Sequence, residues 1–233
     1  MRTIAIITAR GGSKRIPRKN IKPFLGKPII QYSIEAAINS ECFDEVMVST
    51  EDQEIAEFAQ KNGANVPFFR SAENSDDFST TADVLLEVLS EYKSKGIEFD
   101  YACCIYPTAP FVSAQKLKHA FDRLVSENAL SVIPIVKFGF PILRSLKQEN
   151  GFVAFNWPEY LNSRSQDLPN SFHDAGQFYF FRTHDFFRDK KLFTSKTIGL
   201  EMPESEVQDI DNEEDWKLAE IKYTFLQERN KKQ

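Results

Sequence analysis

The sequence predicts a single α/β domain built on a mostly parallel, doubly wound sheet. Three observations carry that expectation. Short apolar runs alternate with segments whose apolar residues recur at helical spacing, the pattern of strand–helix–strand units. At 233 residues the chain is long enough for one large domain of this class. A small-residue loop directly follows the first apolar run, where open α/β sheets bind phosphorylated ligands.

Thr3–Thr8 reads as the first strand, continuously apolar as a central parallel strand should be. Residues 28–39 carry helical spacing at Ile30, Ile34, Ala37 and Ile38, and Pro28 suits a first helical turn. Glu45–Ser49 is the second strand. Thr50-x-x-Gln53 resembles a capping box opening a helix that ends near Gly63, followed by an extended piece over 65–70. Thr80-x-x-Asp83 opens the next helix, which stops before Gly96. Residues 99–106 form another buried strand, ended by Pro107; 113–127 is a helix and 130–136 a strand.

The rhythm then breaks. Gly139, Pro141, Gly151, Pro158 and Pro169 punctuate a stretch in which Phe138, Phe140, Phe152, Phe155, Trp157 and Tyr160 are interleaved. Many aromatics with little helical period predict an inserted arm over 138–172 within a domain spanning 1–233. The arm packs on a second copy of the chain, or closes over the site as a lid. Strand character resumes over 177–182, and a charged amphipathic helix runs from Asn212 to about Asn230.

Composition narrows the function. Hydrophobic residues make up 42% and charged residues 27%, which is ordinary for a globular protein. A net charge of −5 argues against a general nucleic-acid coat, so any basic cluster serves a local anion. Cys42, Cys103 and Cys104 form neither a CxxC pair nor a metal-ligand spacing. With no secretory signal or membrane-length run, a cytoplasmic setting is expected.

The basic cluster is the loop after the first strand, where Arg10, Lys14, Arg15, Arg18 and Lys19 accompany Gly11 and Gly12. Glycines let backbone N–H groups approach an anion and the cations neutralise it. Neither Gly-x-x-x-x-Gly-Lys-Ser/Thr nor Gly-x-Gly-x-x-Gly is present. A solvated basic turn is the alternative, but the position after a strand favours a polyphosphate cradle. Near the other end, Asp209 and Asp211 stand two residues apart, so on extended backbone both carboxylates reach one cation. The competing reading is that Asp211-x-x-Glu214 only caps the last helix. Beside a polyphosphate loop, a metal pair points to chemistry at phosphorus.

Thr8-Ala9-Arg10-Gly11-Gly12-Ser13-Lys14, followed by Lys19-Asn20, resembles the signature loop of the CMP-sialic acid synthetase family, the cytidylyltransferases that activate nonulosonic acids. Tyr106-Pro107-Thr108-Ala109-Pro110 resembles that family's Gln-Pro-Thr-Ser-Pro motif. Arg164-x-Gln-x-Leu168-Pro169 and Gly176 with Tyr179 resemble its sugar-site block, and Asp209-x-Asp211 its metal pair. The matches run in order from about residue 4 to 216.

The resemblance implies a Rossmann-like nucleotidyltransferase domain with an inserted dimerisation arm, acting as a homodimer. The reaction implied joins CTP to a nine-carbon α-keto acid sugar through its anomeric hydroxyl and releases pyrophosphate, without nucleic acid or membrane as partner. Arg10, Gly11, Gly12, Ser13, Lys14, Lys19 and Asn20 would hold the nucleotide, with Arg70, Thr80 and Thr81 at base and ribose. Tyr106, Thr108, Arg144, Arg164, Gln177 and Tyr179 would line the sugar site, with Arg144 and Arg164 placed either at the sugar carboxylate or in the arm's dimer contacts. Asp209 and Asp211 would hold Mg²⁺. Arg10, Lys19 and Asp211 are the implied catalytic residues, with Asp211 or a hydroxide on the metal as proton acceptor. His173 is a candidate substrate contact; His119 and His184 read as surface or core residues.

Three departures bear on the acceptor. Tyr106 replaces a Gln, Phe111-Val112 replaces an Arg, and Ala175-Gly176-Gln177 replaces Asn-Gly-Ala. Swapped polar groups imply a different sugar, and the local strings are most similar to the branch of the family acting on pseudaminic acid, for flagellin or surface-glycan modification. Sialic, legionaminic or Kdo-type acids are alternative acceptors, and UTP or GTP alternative donors. A nucleotide-binding regulator without chemistry is a further alternative.

Overall fold

A computed structural model describes residues 1–76 and 78–231. In chain order the strands are β1 (Thr3–Thr8), β2 (Pro23–Phe24), β3 (Lys27–Pro28), β4 (Glu45–Ser49), β5 (Tyr101–Ile105), β6 (Ser131–Lys137), β7 (Leu146–Glu149), β8 (Phe152–Phe155), β9 (Phe172–Asp174), β10 (Phe178–Arg182) and β11 (Thr197–Glu201). The helices are α1 (Ile29–Asn39), α2 (Gln53–Lys61), α3 (Thr81–Ser94), α4 (Ala114–Ser126), α5 (Thr183–Asp189) and α6 (Glu213–Lys231). The main sheet runs β11-β6-β10-β5-β1-β4, with β9 added to the end of β6.

Both faces of this sheet are covered, which is why its strands read as unbroken apolar runs. On β1, Ala5 and Ile7 point into a cluster with Ile30 and Ile34 of α1 and Leu117 and Leu124 of α4. Ile4 and Ile6 point the other way, to Leu85 and Val88 of α3 and Phe186 of α5.

The sheet is mixed rather than wholly parallel. β4, β1, β5, β6 and β11 share one direction, while β10 runs antiparallel to both β5 and β6. After β6 the chain makes its 138–171 excursion and re-enters at the end of the sheet it left, so β9 and β10 run back. The excursion holds the β7–β8 hairpin, where Phe152 is 81% exposed, and Phe140 before it is 86% exposed.

Two helix starts differ from expectation. Asp52, not Thr50, caps α2 by accepting from Ile55 N at 3.0 Å; Thr50 is buried, its carbonyl accepting from Arg70 N. For α6 the cap is Asn212, whose Oδ1 accepts from Glu214 N and Asp215 N at 2.9 and 3.0 Å, so Asp211 is not used as a cap. The Thr80/Asp83 capping box of α3 forms as expected. Over 65–70 the extended piece makes one bridge, Asn65 to Met47. Sequence patterning missed β11, interrupted by Gly199.

A third cluster docks α6 on the rest. Phe24 is fully buried and meets Tyr32, Trp216 and Tyr223 edge-on at 5.6, 5.5 and 5.7 Å between centroids. Phe24→Ala is therefore expected to cost about 3–5 kcal/mol, read as a lower urea midpoint at unchanged slope.

Candidate active site

From β1 the chain passes through α1 to β4 on one side, then returns to β5 on the other. The carboxyl ends of β1 and β5 thus flank a topological switch point, where open α/β sheets leave a crevice. A pocket of about 560 Å³ lies there. The loop after β1 lines it with Thr8, Arg10, Ser13, Lys14, Arg15, Lys19 and Asn20. Tyr106, Pro107 and Thr108 follow β5, and Asp209 with Asp211 enter from the segment before α6.

Each loop residue has an identifiable anchor. Asn20 is buried, and its Nδ2 donates to the Arg10 carbonyl at 2.8 Å, closing the loop on itself. Gly11 is required by close approach, since a Cβ there would lie 2.6 Å from Asp52 Oδ2. Its N–H donates to Glu51 Oε1 at 2.6 Å, so this backbone donor faces a carboxylate rather than the pocket. Gly12 has open space about its Cα. Arg18 is turned away to bind Asp52 and Glu54 at the start of α2. Of the five loop cations, Arg10, Lys14, Arg15 and Lys19 line the pocket.

A smaller pocket of about 250 Å³ adjoins the first, and Thr8 and Arg10 line both. Arg70, Thr80 and Thr81, the residues expected at base and ribose, line it. Arg70 is buried, with Nε donating to Ser49 Oγ at 3.0 Å, and burial lowers its pKa. Thr81 Oγ1 lies 3.3 Å from the Tyr106 hydroxyl, which joins the two pockets.

Asp209 and Asp211 flank Ile210, whose side chain is fully buried and whose carbonyl accepts from Lys19 Nζ at 2.6 Å. The two carboxylates are thereby presented together. Arg15 donates to Asp211 Oδ1 at 2.7 Å. Desolvation by the pocket walls and the Asp211 charge raise the pKa of Asp209, even though the residue keeps an exposed edge at the pocket mouth. Lys19 is lowered by burial, against the pull of both aspartates. Among the described residues there is no group of three or more His, Cys, Asp or Glu side chains able to hold a metal ion.

The expected sugar residues divide. Tyr106 and Thr108 line the pocket. Tyr179 is buried behind Tyr106, ring centroids 5.4 Å apart, and donates its hydroxyl to Asp174 Oδ2 at 2.6 Å. Burial raises both phenols, so both act as neutral hydrogen-bonding groups. Gln177 is buried, its Nε2 donating to the Glu206 carbonyl at 2.9 Å. Arg144, bonded to Ser165, and Arg164, paired with Asp167, stand on the arm outside both pockets within one chain. His173 packs on Phe138, also outside them; His119 and His184 are exposed.

Sequence reasoning left several neighbours unassigned. Arg15 belongs to the cation run but not to the residues the resemblance implied for the nucleotide. Asn74, Asp76 and Ser79 line the smaller pocket; their Ser/Asn/Asp-rich stretch signals a loop, with no mark of what the loop covers. Asp174 gave no signal, because its partner Tyr179 is set by the β9–β10 turn.

The arrangement is that of an α/β protein whose basic loop and carboxylate pair line one pocket at the carboxyl end of the sheet. The chain belongs to the cytidylyltransferase family, whose model matches residues 4–209. A pseudaminic acid cytidylyltransferase of Campylobacter jejuni is 40% identical over 225 residues, covering 96% of this chain and 97% of that protein. A CMP-N,N'-diacetyllegionaminic acid synthase of Legionella pneumophila is 31% identical over 224 residues, 94% of this chain and 95% of the relative. The solved CMP:2-keto-3-deoxy-manno-octonic acid synthetase complexed with CTP shares the fold at a TM-score of 0.69 and 17% identity, over 98% of this chain and all of that one. Among the described residues, no helix is long and apolar enough to cross a membrane.

Because burial and the neighbouring Asp211 charge raise the Asp209 pKa, its ionisation works against the fold. Asp209→Asn is expected to raise the thermal midpoint of the metal-free protein at pH 7. The gain should vanish as pH falls below the ordinary carboxylate value, where the wild-type group is itself neutral; calorimetry across that range checks it.

Proposed function

We propose that the chain transfers CMP from CTP to the anomeric hydroxyl of pseudaminic acid, giving CMP-pseudaminic acid and pyrophosphate with Mg²⁺ as cofactor. One observation supports the reaction above others: the basic loop, the Tyr106–Thr108 turn and the Asp209/Asp211 pair line a single pocket. The acceptor rests on the 40% identity, along nearly the whole chain, to proteins named for that activity.

The residues fit Mg²⁺. Two hard oxygen donors flank one anchored residue, and the upward push that Asp211 exerts on Asp209 is what a dication between them would relieve. With two protein carboxylates, phosphate oxygens and water complete the shell. The bound ion supplies charge neutralisation for the triphosphate and the leaving pyrophosphate.

Arg10, Lys14, Arg15 and Lys19 neutralise the phosphates and stabilise the charge that develops in transfer. Gly12 gives the phosphates open backbone to approach, and Ser13 a hydroxyl. Arg70, Thr80 and Thr81 take base and ribose in the smaller pocket. Tyr106 and Thr108 orient the sugar so that its anomeric oxygen attacks the α-phosphorus in line. One P–O bond forms, the bond to pyrophosphate breaks, and the hydroxyl proton passes to Asp211. The exposed aromatics of the 138–172 arm support a homodimer, which would bring Arg144 and Arg164 of one copy toward its partner. A reducing cytoplasm suits the free thiols. Surface-glycan or flagellin modification is the use that the CMP-sugar would have.

A panel of acids with CTP tests the acceptor. Turnover with pseudaminic acid and little with sialic, legionaminic or Kdo-type acids is expected, whereas preference for legionaminic acid, suggested by the 31% identical relative, would replace the reading. Asp211→Ala is expected to reduce Mg²⁺-dependent pyrophosphate release by about 10²-fold or more with the fold intact; unchanged release would remove Asp211 from the site.

A further inference from the structure

Gln177 is 1% exposed, yet its side chain is only half satisfied. Nε2 donates to the Glu206 carbonyl at 2.9 Å, while Oε1 is buried with no hydrogen-bond partner among the described residues. Turning the amide over would set Oε1 against a carbonyl oxygen, so the orientation is fixed by Glu206. A buried acceptor without a partner is costly, and packing alone would be served better by Met or Leu. The group retained at this cost is the N–H. Meanwhile the Gln177 backbone carbonyl accepts from Tyr106 N at 2.9 Å. One residue therefore grips both the turn that carries Tyr106 and the segment leading to Asp209.

That segment is held from other sides as well. Lys116 and Arg229 bind the Glu206 carboxylate, and Lys222 Nζ donates to the Val207 carbonyl at 2.8 Å. These cations reach it from α4 and α6. Gln177 is the grip on Glu206 that comes from the acceptor side.

We propose that Gln177 is a positioning residue that fixes the carboxylate pair in register with the Tyr106 turn, rather than a direct sugar contact. Its role toward the metal rests on the Mg²⁺-dependent reading above; its hold on the 206–211 segment does not. The register matters because in-line attack needs the α-phosphorus placed by one wall of the pocket and the sugar oxygen by the other.

The test is Gln177→Met, which keeps the volume and removes the unpaired acceptor together with the donor. In the metal-free protein, amide exchange over 206–211 is expected to quicken roughly fivefold, the worth of one net hydrogen bond. Exchange in β1 should stay as in wild type, and the thermal midpoint should not fall. The half-saturating Mg²⁺ for pyrophosphate release is expected to rise about fivefold, the worth of the one net hydrogen bond lost from the segment, with KM for CTP at saturating Mg²⁺ little changed. Should Gln177→Met not fold, Gln177→Leu, which likewise offers no donor to the Glu206 carbonyl, takes its place. Unchanged exchange over 206–211 would overturn the proposal, and if KM for the sugar alone rises, Gln177 is a direct contact. If the wild-type protein shows no Mg²⁺-dependent release, the functional reading fails, while the exchange comparison still decides whether Gln177 holds the segment.

Discussion

Lys19 and Ile210 are separated by 191 positions in sequence, and the hydrogen bond from the Lys19 ammonium to the Ile210 carbonyl joins the two ends of the domain. The pocket depends on this junction. Ile210 is buried in the cluster built on Phe24 and Trp216, so the backbone at that point cannot turn, and the residues on either side project together toward the basic loop. The Lys19 charge is poorly solvated there and is offset by the flanking aspartates. Without the aspartates the loop would hold several cations close together; without the loop, two carboxylates would face one another alone. Each half makes the other tolerable, and a ligand that brings both phosphate and a dication can satisfy both halves at once.

The same junction explains what was legible in the sequence. The glycine-and-cation run after Thr3–Thr8 is local, and a strand followed by such a loop fixes its location at the mouth of the sheet. The Asp209/Asp211 spacing is local too, but its meaning was divided between a cap and a metal pair. Asn212 takes the cap itself, which removes the cap reading of Asp211 and which only the geometry of the first turn of α6 reveals. Apolar runs located most strands. They could not give the direction of β10, because pairing direction depends on where the chain re-enters, not on side-chain period.

Residues named from motif resemblance fared unevenly for a physical reason. Tyr106 and Thr108 sit on the short turn after a buried strand, so their place follows from the strand. Gln177 and Tyr179 lie at the start of a strand buried on both faces, where the Gln177 side-chain N–H is given to Glu206 and the Tyr179 hydroxyl to Asp174. Arg144 and Arg164 belong to the 138–172 excursion, whose position is not dictated by any repeating pattern. Its exposed rings and its arginines share one segment, so whatever surface covers the first is placed to meet the second.

The late arrival of β10 has a consequence for how the protein is made. This strand fills the space between β5 and β6, yet it is synthesised after both and after the whole 138–171 excursion. Until residues 178–182 leave the ribosome, β5 and β6 each carry an unpaired edge in the middle of what will become the sheet. The nascent chain must keep those edges from meeting each other or another chain, and only then can the last strand slot in from the side. A domain whose central strand is laid down after both its neighbours is exposed to misassociation until that strand arrives. Slower elongation once residues 178–182 have emerged, or a chaperone that shields extended backbone until then, would act at that moment.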